Sequence, residues 1–167
     1  MKNFYTGLMT YFNNFISYQI TSEAEDDLTS EADEHIITEQ LSSDHNPLWV
    51  AIGGRLYNTY APDGTTFPYA VFQHISSRPE DTFTEKIDDV LIQFTIFSTS
   101  PSSSEVHTAM QNLKTLFDDC TFSVIDSTIV EFRRGGEGLT SEEFETVDGL
   151  QRGWSYYVEY SVVVQKT

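Results

Sequence analysis

The sequence predicts an α+β fold, a mostly antiparallel sheet of about five strands with two helices packed on one face. Two stretches carry apolar residues at helical spacing, and four longer stretches alternate apolar and polar residues as half-buried strands do. The aromatic content of 14% favours strands, because aromatic rings pack well on a pleated surface. A length of 167 residues suits one domain with a full core, so we expect residues 1–167 to form a single domain.

The two helices are predicted from apolar residues that recur every three or four positions. In residues 3–19 this stripe consists of Phe4, Leu8, Phe12 and Phe15. The second helix begins near Ser104, where Ser102 or Ser103 can cap it. Its stripe consists of Val106, Met110, Leu113 and Phe117. We expect both stripes to dock on the sheet.

The strands are predicted from period-two alternation, which is clearest in residues 154–165. The apolar face of that strand comprises Trp154, Tyr156, Val158, Tyr160, Val162 and Val164. Residues 89–98 alternate in the same way, with Val90, Ile92, Phe94 and Ile96 on one face. In residues 122–134 we expect one face to carry Val124, Val130 and Phe132, and the other Ile125 and Ile129. The glycine-rich residues 135–153 are expected to form a loop, with a hairpin tip at residues 135–138.

Residues 55–77 read as two extended segments joined by a turn-rich link, and we interpret them as a rigid aromatic hairpin. In the link the proline presets φ near −65° and the glycine can take a positive φ. The residues that define this interpretation are Tyr57, Tyr60, Pro62, Asp63, Gly64, Pro68 and Tyr69. They indicate structure rather than chemistry.

The charge is strongly acidic, with 26 Asp and Glu against nine Lys and Arg and a net charge of −17. This balance disfavours sequence-independent binding to nucleic acid and docking to an anionic membrane, both of which need basic residues. Solubility alone can explain it. An acidic insertion at about residues 21–46 holds nine of the acids and no Lys or Arg. It lacks the alternating acids and central glycine of a calcium loop. No apolar run approaches the ~20 residues of a membrane span.

The residues that could carry catalysis form no recognisable pattern, so we predict no enzyme, no cofactor and no metal. The histidines are scattered along the chain: His35, His45, His74 and His107. Cys120 cannot form an intramolecular disulfide, and we expect it to be a small buried residue. No serine lies in a nucleophile elbow, and residues 135–138 lack the Lys and Ser or Thr of a phosphate loop.

The few basic residues are candidates for an interface with another subunit or a partner. Those on or beside predicted strands and turns are Arg55, Arg78, Lys86, Arg133 and Arg134. Arginine is favoured at interfaces because its planar guanidinium binds a carboxylate through two hydrogen bonds. On so acidic a chain each of them can equally pair with an acid of its own subunit.

Residues 54–73, which we call the signature segment, resemble small tail-completion proteins of tailed bacteriophages. The shared pattern is Gly54-Arg55-Leu56-Tyr57, Tyr60-Ala61-Pro62-Asp63-Gly64 and Phe67-Pro68-Tyr69-Ala70-Val71-Phe72-Gln73. Glu85-Lys86-Ile87 before a long strand, a helix ending in Leu116-Phe117-Asp118-Asp119, and the closing strand extend the resemblance from residue 48 to the end. The acidic insertion and residues 135–149 look longer than the usual links of that family.

The resemblance implies a tail terminator, a ring, usually of six subunits, that caps the tail tube at its head-proximal end and joins it to the head-side connector. Expected partners are copies of the chain itself, the major tail tube protein and a head-completion protein, while DNA only passes through the lumen. The expected location is the neck of a virion assembled in the host cytoplasm. Two alternatives stay open: a head-closure or neck connector protein, and a monomeric acidic module that binds a basic partner.

Overall fold

One five-stranded sheet forms the body of the protein in a computed structural model that describes residues 2–14, 45–80, 86–118, 120, 122, 124–146 and 149–166. The strands are β1 (Leu56–Asn58), β2 (Tyr69–Pro79), β3 (Lys86–Ser98), β4 (Ser127–Thr146) and β5 (Gly149–Lys166). The helices are α1 (Lys2–Asn14), α2 (Pro47–Ala51) and α3 (Ser104–Phe117).

The spatial order of the strands is β1-β2-β3-β5-β4. Every neighbouring pair is antiparallel except β1 and β2, which run parallel. The predicted α+β fold with a mostly antiparallel sheet of five strands is therefore confirmed. The central position of β3 and β5 agrees with their long, regular alternation in the sequence.

The helices cover one face of the sheet, which we call the covered face. Its buried side chains in the two central strands are Val90, Ile92, Phe94, Ile96, Tyr156, Val158, Tyr160, Val162 and Val164. The stripe of α3 is buried against them, with the rings of Phe94 and Phe117 stacked at 4.8 Å between centroids. Phe4, Leu8 and Phe12 of α1 join the same core, and Tyr5 lies 5.8 Å from Phe72 of β2. The predicted packing of two helices on one face is confirmed.

Asn46 links α1 to α2. Its side-chain oxygen accepts a hydrogen bond from the backbone N–H of Trp49 at 2.7 Å and so caps α2. Its side-chain amide donates to the carbonyl oxygen of Phe12 at 2.7 Å. Two glycines at positive φ, Gly53 and Gly54, follow the end of the helix. At Gly54 a Cβ would lie 2.8 Å from the Trp49 indole, so the ring needs a glycine there.

The prediction that residues 55–77 form a hairpin is wrong. β1 pairs parallel to β2, with Leu56 opposite Ala70 and Asn58 opposite Phe72. Residues 59–68 instead carry the chain back along the edge of the sheet to the start of β2, through a turn at Gly64 with φ 75°. Turn residues indicate that the chain changes direction. They do not reveal whether it reverses once, which gives an antiparallel pair, or twice, which gives the parallel pair seen here.

The predicted loop at residues 135–153 is also wrong, because β4 continues through residues 135–138 and pairs with β5 on both sides of a register shift between Arg134 and Glu137. The chain turns only between Thr146 and Gly149. Gly138 serves packing rather than a turn, since a Cβ there would lie 2.6 Å from the ring of Tyr157 opposite it. β4 and β5 therefore form a long hairpin that extends beyond the end of β3.

A β-bulge corrects the predicted faces of β4. The register shifts between Ile129 and Glu131, so that Ile129 and Phe132 both lie on the covered face and are buried. Val130, predicted to share a face with Phe132, is 59% exposed. A bulge adds one residue to a strand, and strict alternation in sequence then assigns the wrong face beyond it.

Some predictions fall on residues outside those described. The bulk of the acidic insertion and the C-terminal part of the first predicted helix lie in residues 15–44. Glu85 and Asp119 of the resemblance also lie outside the described residues.

Candidate assembly surfaces

The second face of the sheet, which we call the open face, has no described helix over it. In the two central strands its side chains are those of Asp89, Leu91, Gln93, Thr95, Phe97, Tyr157, Glu159, Ser161 and Val163. All of these are partly exposed, whereas their neighbours on the covered face are buried. Ser155, which lies opposite Phe97 on the open face, is an exception and is buried. A sheet with one face packed and one face accessible is common among antiparallel sheets.

One end of the open face carries a cluster of five rings, which we call the aromatic cluster: Tyr57, Phe67, Tyr69, Phe97 and Phe144. Phe67 of the signature segment lies 5.4 Å from Phe144 of the β4–β5 hairpin, and Tyr69 lies 5.1 Å from Phe97. Tilted and edge-on contacts of this kind are the favoured aromatic geometries. Burial, followed by the charges of nearby Glu142 and the Tyr57 hydroxyl, raises the pKa of Tyr69. The cluster joins the signature segment to the β4–β5 hairpin.

A cleft of about 450 Å³ lies beside this cluster. One wall is the turn of the signature segment, where the Thr65 hydroxyl donates to the carbonyl oxygen of Pro62 at 2.6 Å. The other wall includes Glu145 and Gln151 of the β4–β5 hairpin. The lining mixes polar residues with the aromatic residues Phe67 and Tyr69, and the cleft lies between the signature segment and the end of the β4–β5 hairpin.

The residues of the signature segment divide into a packed part and an exposed tip. Tyr57, Pro68 and Tyr69 are half-buried, and the two tyrosines belong to the aromatic cluster. The tip consists of Tyr60, Pro62, Asp63 and Gly64, all of which are exposed. Tyr60 is 76% exposed, so the described residues cover little of its ring, which is accessible to another molecule.

Two of the five basic candidates make structural contacts inside the subunit. The Arg55 Nε donates to the carbonyl oxygen of Pro68 at 3.0 Å, which ties β1 to the start of β2. The Arg134 Nη1 lies 3.4 Å from the Asp118 Oδ2, linking β4 to the end of α3. These contacts favour a role for both arginines within their own subunit rather than at an interface.

The other three candidates are exposed and lie in two separate parts of the sheet. Arg78 and Lys86 belong to the β2–β3 hairpin, whereas Arg133 lies on β4 at the opposite edge. The Arg78 side chain is 80% exposed, with Glu80 at 3.9 Å. Arg133 forms an ion pair with Glu131 on its own strand. The five basic residues therefore form no single patch.

A polar network between α3 and β4 was missed by the sequence analysis. The Lys114 Nζ lies 2.5 Å from the Glu137 Oε2, and the Tyr156 hydroxyl donates to Glu137 at 3.3 Å. The hydrogen bond from Lys114 is the main reason that the pKa of Glu137 lies below its usual range. Lys114 lies four residues after Met110, on the apolar stripe of α3, and this spacing is the sequence feature that indicates a buried lysine. Its partner was hidden because Glu137 was assigned to a loop.

A second contact of this kind lies at the end of α3. The Tyr160 hydroxyl donates to the Asp118 Oδ1 at 2.8 Å. Burial, reinforced by this bond and by the Asp118 charge, raises the pKa of Tyr160 far above its ordinary value, so the phenol stays protonated. Both contacts fasten α3 to the sheet.

The described residues form no arrangement suited to catalysis or metal binding. Among them, no three His, Cys, Asp or Glu side chains lie close enough together to hold a metal. The described histidines make ring contacts instead: His45 stacks on Trp49, His74 meets Tyr5 and His107 meets Tyr156. Cys120 is buried. In the described part of the chain, no helix has the length and apolar character needed to cross a membrane.

The described residues therefore form an α+β sheet with one open face, two outer edges and an exposed tip that carries Tyr60. The family model described as Tail completion protein gp17 matches residues 37–154 of the chain. The match includes the whole signature segment and four of the five strands. The chain belongs to this family and is a structural protein of the phage virion tail, as the resemblance implied.

Among solved structures, a chain of one described as "Virion of native gene transfer agent (GTA) particle" is similar, with a TM-score of 0.46 and 12% sequence identity. The likeness covers 76% of this chain and 91% of the other. No argument for function depends on it. A search of curated proteins found no match.

Proposed function

We propose that the protein is a tail terminator: a hexameric ring that caps the head-proximal end of the tail tube and joins it to the head-side connector. The observation that carries this proposal is the family match over residues 37–154, which includes the signature segment. The partners are copies of the chain itself, the major tail tube protein and a head-completion protein, at the neck of the virion. The role is structural and involves no catalytic step.

The edges of the sheet support ring formation. A closed ring requires two different patches of one subunit to meet, repeated around an axis. The outer edge of β4 has no described neighbouring strand along its 20 residues. On the other side β1 pairs with residues 70–72 of β2, and no other described strand lies beside residues 73–79, so their outer edge is open within the described part of the chain. Open edges present unpaired N–H and C=O groups on which another chain can add.

The two hairpins support a role between two other structures. The β2–β3 hairpin turns beyond Pro79 and Asp88, and the β4–β5 hairpin turns beyond Thr146 and Gly149. These turns lie at opposite ends of the strands, because β3 pairs with β5 from Lys86 opposite Lys166 to Ser98 opposite Trp154. With strands running along the ring axis, one hairpin end faces the tube and the other the connector.

The acidic character suits a channel for DNA. A lumen with net negative charge repels phosphates, so DNA passes without being retained. The net charge of −17 supports such a lumen, and sequence-specific recognition of DNA or docking to a membrane has no part in the proposal. A ring structure with a lumen rich in Lys and Arg would overturn this element of it.

Deletion of the gene from the phage that encodes it tests the proposal. We expect tails of uncontrolled length, or tails that do not join heads, in electron micrographs of lysates, with normal particles restored by a plasmid copy. Normal infectious particles from the deletion would contradict the role. Cryo-EM of the virion separates a terminator, which contacts the tube protein, from a head-closure protein, which contacts the portal side. A monomeric acidic module would show no change in light scattering when tube protein is added.

A further inference from the structure

Two oppositely charged side chains end the same cross-strand row at the two outer edges of the sheet. In the row Arg78 of β2 lies opposite Asp89 of β3, Asp89 lies opposite Val163 of β5, and Val163 lies opposite Glu131 of β4. Directly paired residues point to the same face, so all four lie on the open face. The row thus begins with a cation at the β2 edge and ends with an anion at the β4 edge.

Arg78 and Glu131 are too far apart to pair within one subunit. Three strand spacings of about 4.8 Å separate them, roughly 14 Å in all. Both residues form ion pairs within their own subunit: Arg78 lies 3.9 Å from Glu80, and Glu131 pairs with Arg133. These pairs are exposed to solvent and contribute little to the stability of the fold. Between them, Asp89 accepts a hydrogen bond from the Ser161 hydroxyl at 2.9 Å. Both end residues are therefore able to reach a charge outside their own subunit.

The same two edges each carry one exposed aliphatic residue at a bulge. Ile75 lies at the register shift between His74 and Ser76 on β2, and it is 46% exposed. Val130 lies at the corresponding shift on β4. Measured along β3, Ile75 lies at the level of Leu91 and Ile92. Val130 lies at the level of Asp88 and Asp89. The two aliphatic side chains are thus within about three residues, or roughly 10 Å, of the same height on the sheet.

The strand directions also match. β2 is antiparallel to β3, β3 to β5, and β5 to β4, so β2 and β4 run in opposite directions. If β4 of one copy lies beside β2 of the next, the two edges form an antiparallel ladder, and both open faces stay on the same side. The accessible part of β2 is residues 73–79, which contain Ile75 and Arg78.

We propose that copies of this chain join edge to edge, with residues 73–79 of β2 alongside β4 of the neighbouring copy and Arg78 paired with its Glu131. The contact is heterologous, and a repeated rotation closes it into a ring whose subunits share one continuous sheet. Ile75 and Val130 are covered in the process. This inference rests on the proposed function, since it specifies how the terminator ring is held together.

Charge reversal tests the pairing in phage assembly. Plasmid copies of the gene carrying Arg78→Glu or Glu131→Arg are used to complement the deletion phage. Each single change is expected to lower the titre of infectious particles about tenfold or more, because like charges then face each other at every contact of the ring. The double variant Arg78→Glu/Glu131→Arg is expected to restore the titre, because the ion pair re-forms with the acidic and basic residues exchanged.

A matched control separates this contact from the local ones. Arg78→Glu/Glu80→Arg has the same net charge as the wild type and keeps the local pair, but it should stay as defective as Arg78→Glu alone. Thermal unfolding of the purified variants shows that each one folds. Single variants without effect, or a double reversal as defective as the singles, would overturn the pairing.

Cysteine cross-linking provides a readout that does not depend on tail length. In particles assembled with Arg78→Cys/Glu131→Cys, oxidation is expected to give a ladder of covalent oligomers on a non-reducing gel, and reduction should return the monomer. Wild-type protein, whose Cys120 is buried, should give monomer only. Monomer alone from the double variant would overturn the contact. Normal tails from the deletion phage would instead overturn the proposed function, so the two failures are distinguishable.

Discussion

The two faces of the sheet differ although the same strands form them. On the covered face Phe94, Val158 and Tyr160 are fully buried among the helices. On the open face their neighbours Gln93, Thr95 and Ser161 are polar and partly exposed. The buried side chains of the covered face account for the stability of the fold, whereas the side chains of the open face and its edges are accessible to other molecules. The division leaves one face of the sheet for the core and the other face accessible to other molecules.

The open face is itself divided. Its middle is polar, but at the end near the signature segment the aromatic cluster packs Phe67, Tyr69 and Phe144 together. Phe144 lies directly over Gly153, where a Cβ would collide with the ring and with the carbonyl oxygen of Ser98. The cluster packs the β4–β5 hairpin against the signature segment, so we expect this end of the open face to have a higher local stability than the middle.

The largest effect is expected from Phe94→Ala on the covered face. The Phe94 ring contacts Phe72, Phe117 and Tyr160, and its removal leaves a cavity between the helices and the sheet. Urea unfolding should show a loss of about 3–5 kcal/mol in the free energy of unfolding. Thr95→Ala, one residue away on the open face, should cost less than about 1 kcal/mol. Equal losses would mean that the two faces contribute alike to stability.

The sequence predicted best where one period holds over a whole strand. The covered faces of β3 and β5 and the stripe of α3 were predicted residue by residue, because burial against helices imposes a regular pattern. The bulge at Val130 was not predictable, since one inserted residue leaves no mark in composition. The parallel pairing of β1 was missed because the turn chemistry of residues 59–68 is compatible with either strand direction.

The site was predicted in part, for a different reason. The signature segment identified the family, but Tyr60, predicted as one of its structural residues, is 76% exposed at the tip. Of the basic candidates, Arg55 and Arg134 proved to bind atoms of their own subunit. Whether a charge meets its own subunit or another depends on which strands are neighbours, and Arg78 and Glu131 become a pair only once the complete order of the sheet is known.

The next largest effect is expected from Phe144→Ala in the aromatic cluster. The change removes contacts with Phe67 and Phe97 and uncovers Gly153, but the ring is only half-buried. We expect a loss of about 1–2 kcal/mol in the free energy of unfolding, and faster hydrogen exchange in residues 139–146. Leu150→Ala, on the same hairpin but 73% exposed, is the control and should change neither. A hairpin that exchanges at the wild-type rate without Phe144 would show that the cluster does not hold it.

A smaller, pH-dependent effect is expected at the edge of the covered face from Glu137→Gln. The lowered pKa of Glu137 means that its carboxylate binds Lys114 more strongly in the folded than in the unfolded state. The stabilisation is therefore present above the unfolded pKa, near 4.5, and is lost as the pH falls through the lower folded pKa. Solvent screens the part-exposed pair, so the variant should lose no more than about 1 kcal/mol at pH 7.

Thermal unfolding from pH 7 down to pH 2 measures this difference. The melting temperatures of wild type and Glu137→Gln should converge at the acid end, where the wild-type carboxyl is also protonated. Glu143→Gln, an exposed change of the same chemistry on the same strand, should follow the wild-type curve throughout. A gap between Glu137→Gln and wild type that stays constant down to pH 2 would assign the loss to packing rather than to charge.

The smallest effect on folding is expected from Val130→Thr at the open edge of β4. Threonine has nearly the same shape and β-propensity, and the Val130 side chain is already exposed, so the free energy of unfolding should change by less than about 0.5 kcal/mol. The same change at Val158, which is fully buried on the covered face, places a hydroxyl in the core and should cost about 1–3 kcal/mol. Urea unfolding measures both, and complementation of the deletion phage measures assembly. If Val130 is covered by a neighbouring copy, its polar replacement should lower the infectious titre while leaving the monomer intact, so that folding and assembly separate on a single strand. A loss of stability equal to that of Val158→Thr would show instead that Val130 already belongs to the core of its own subunit.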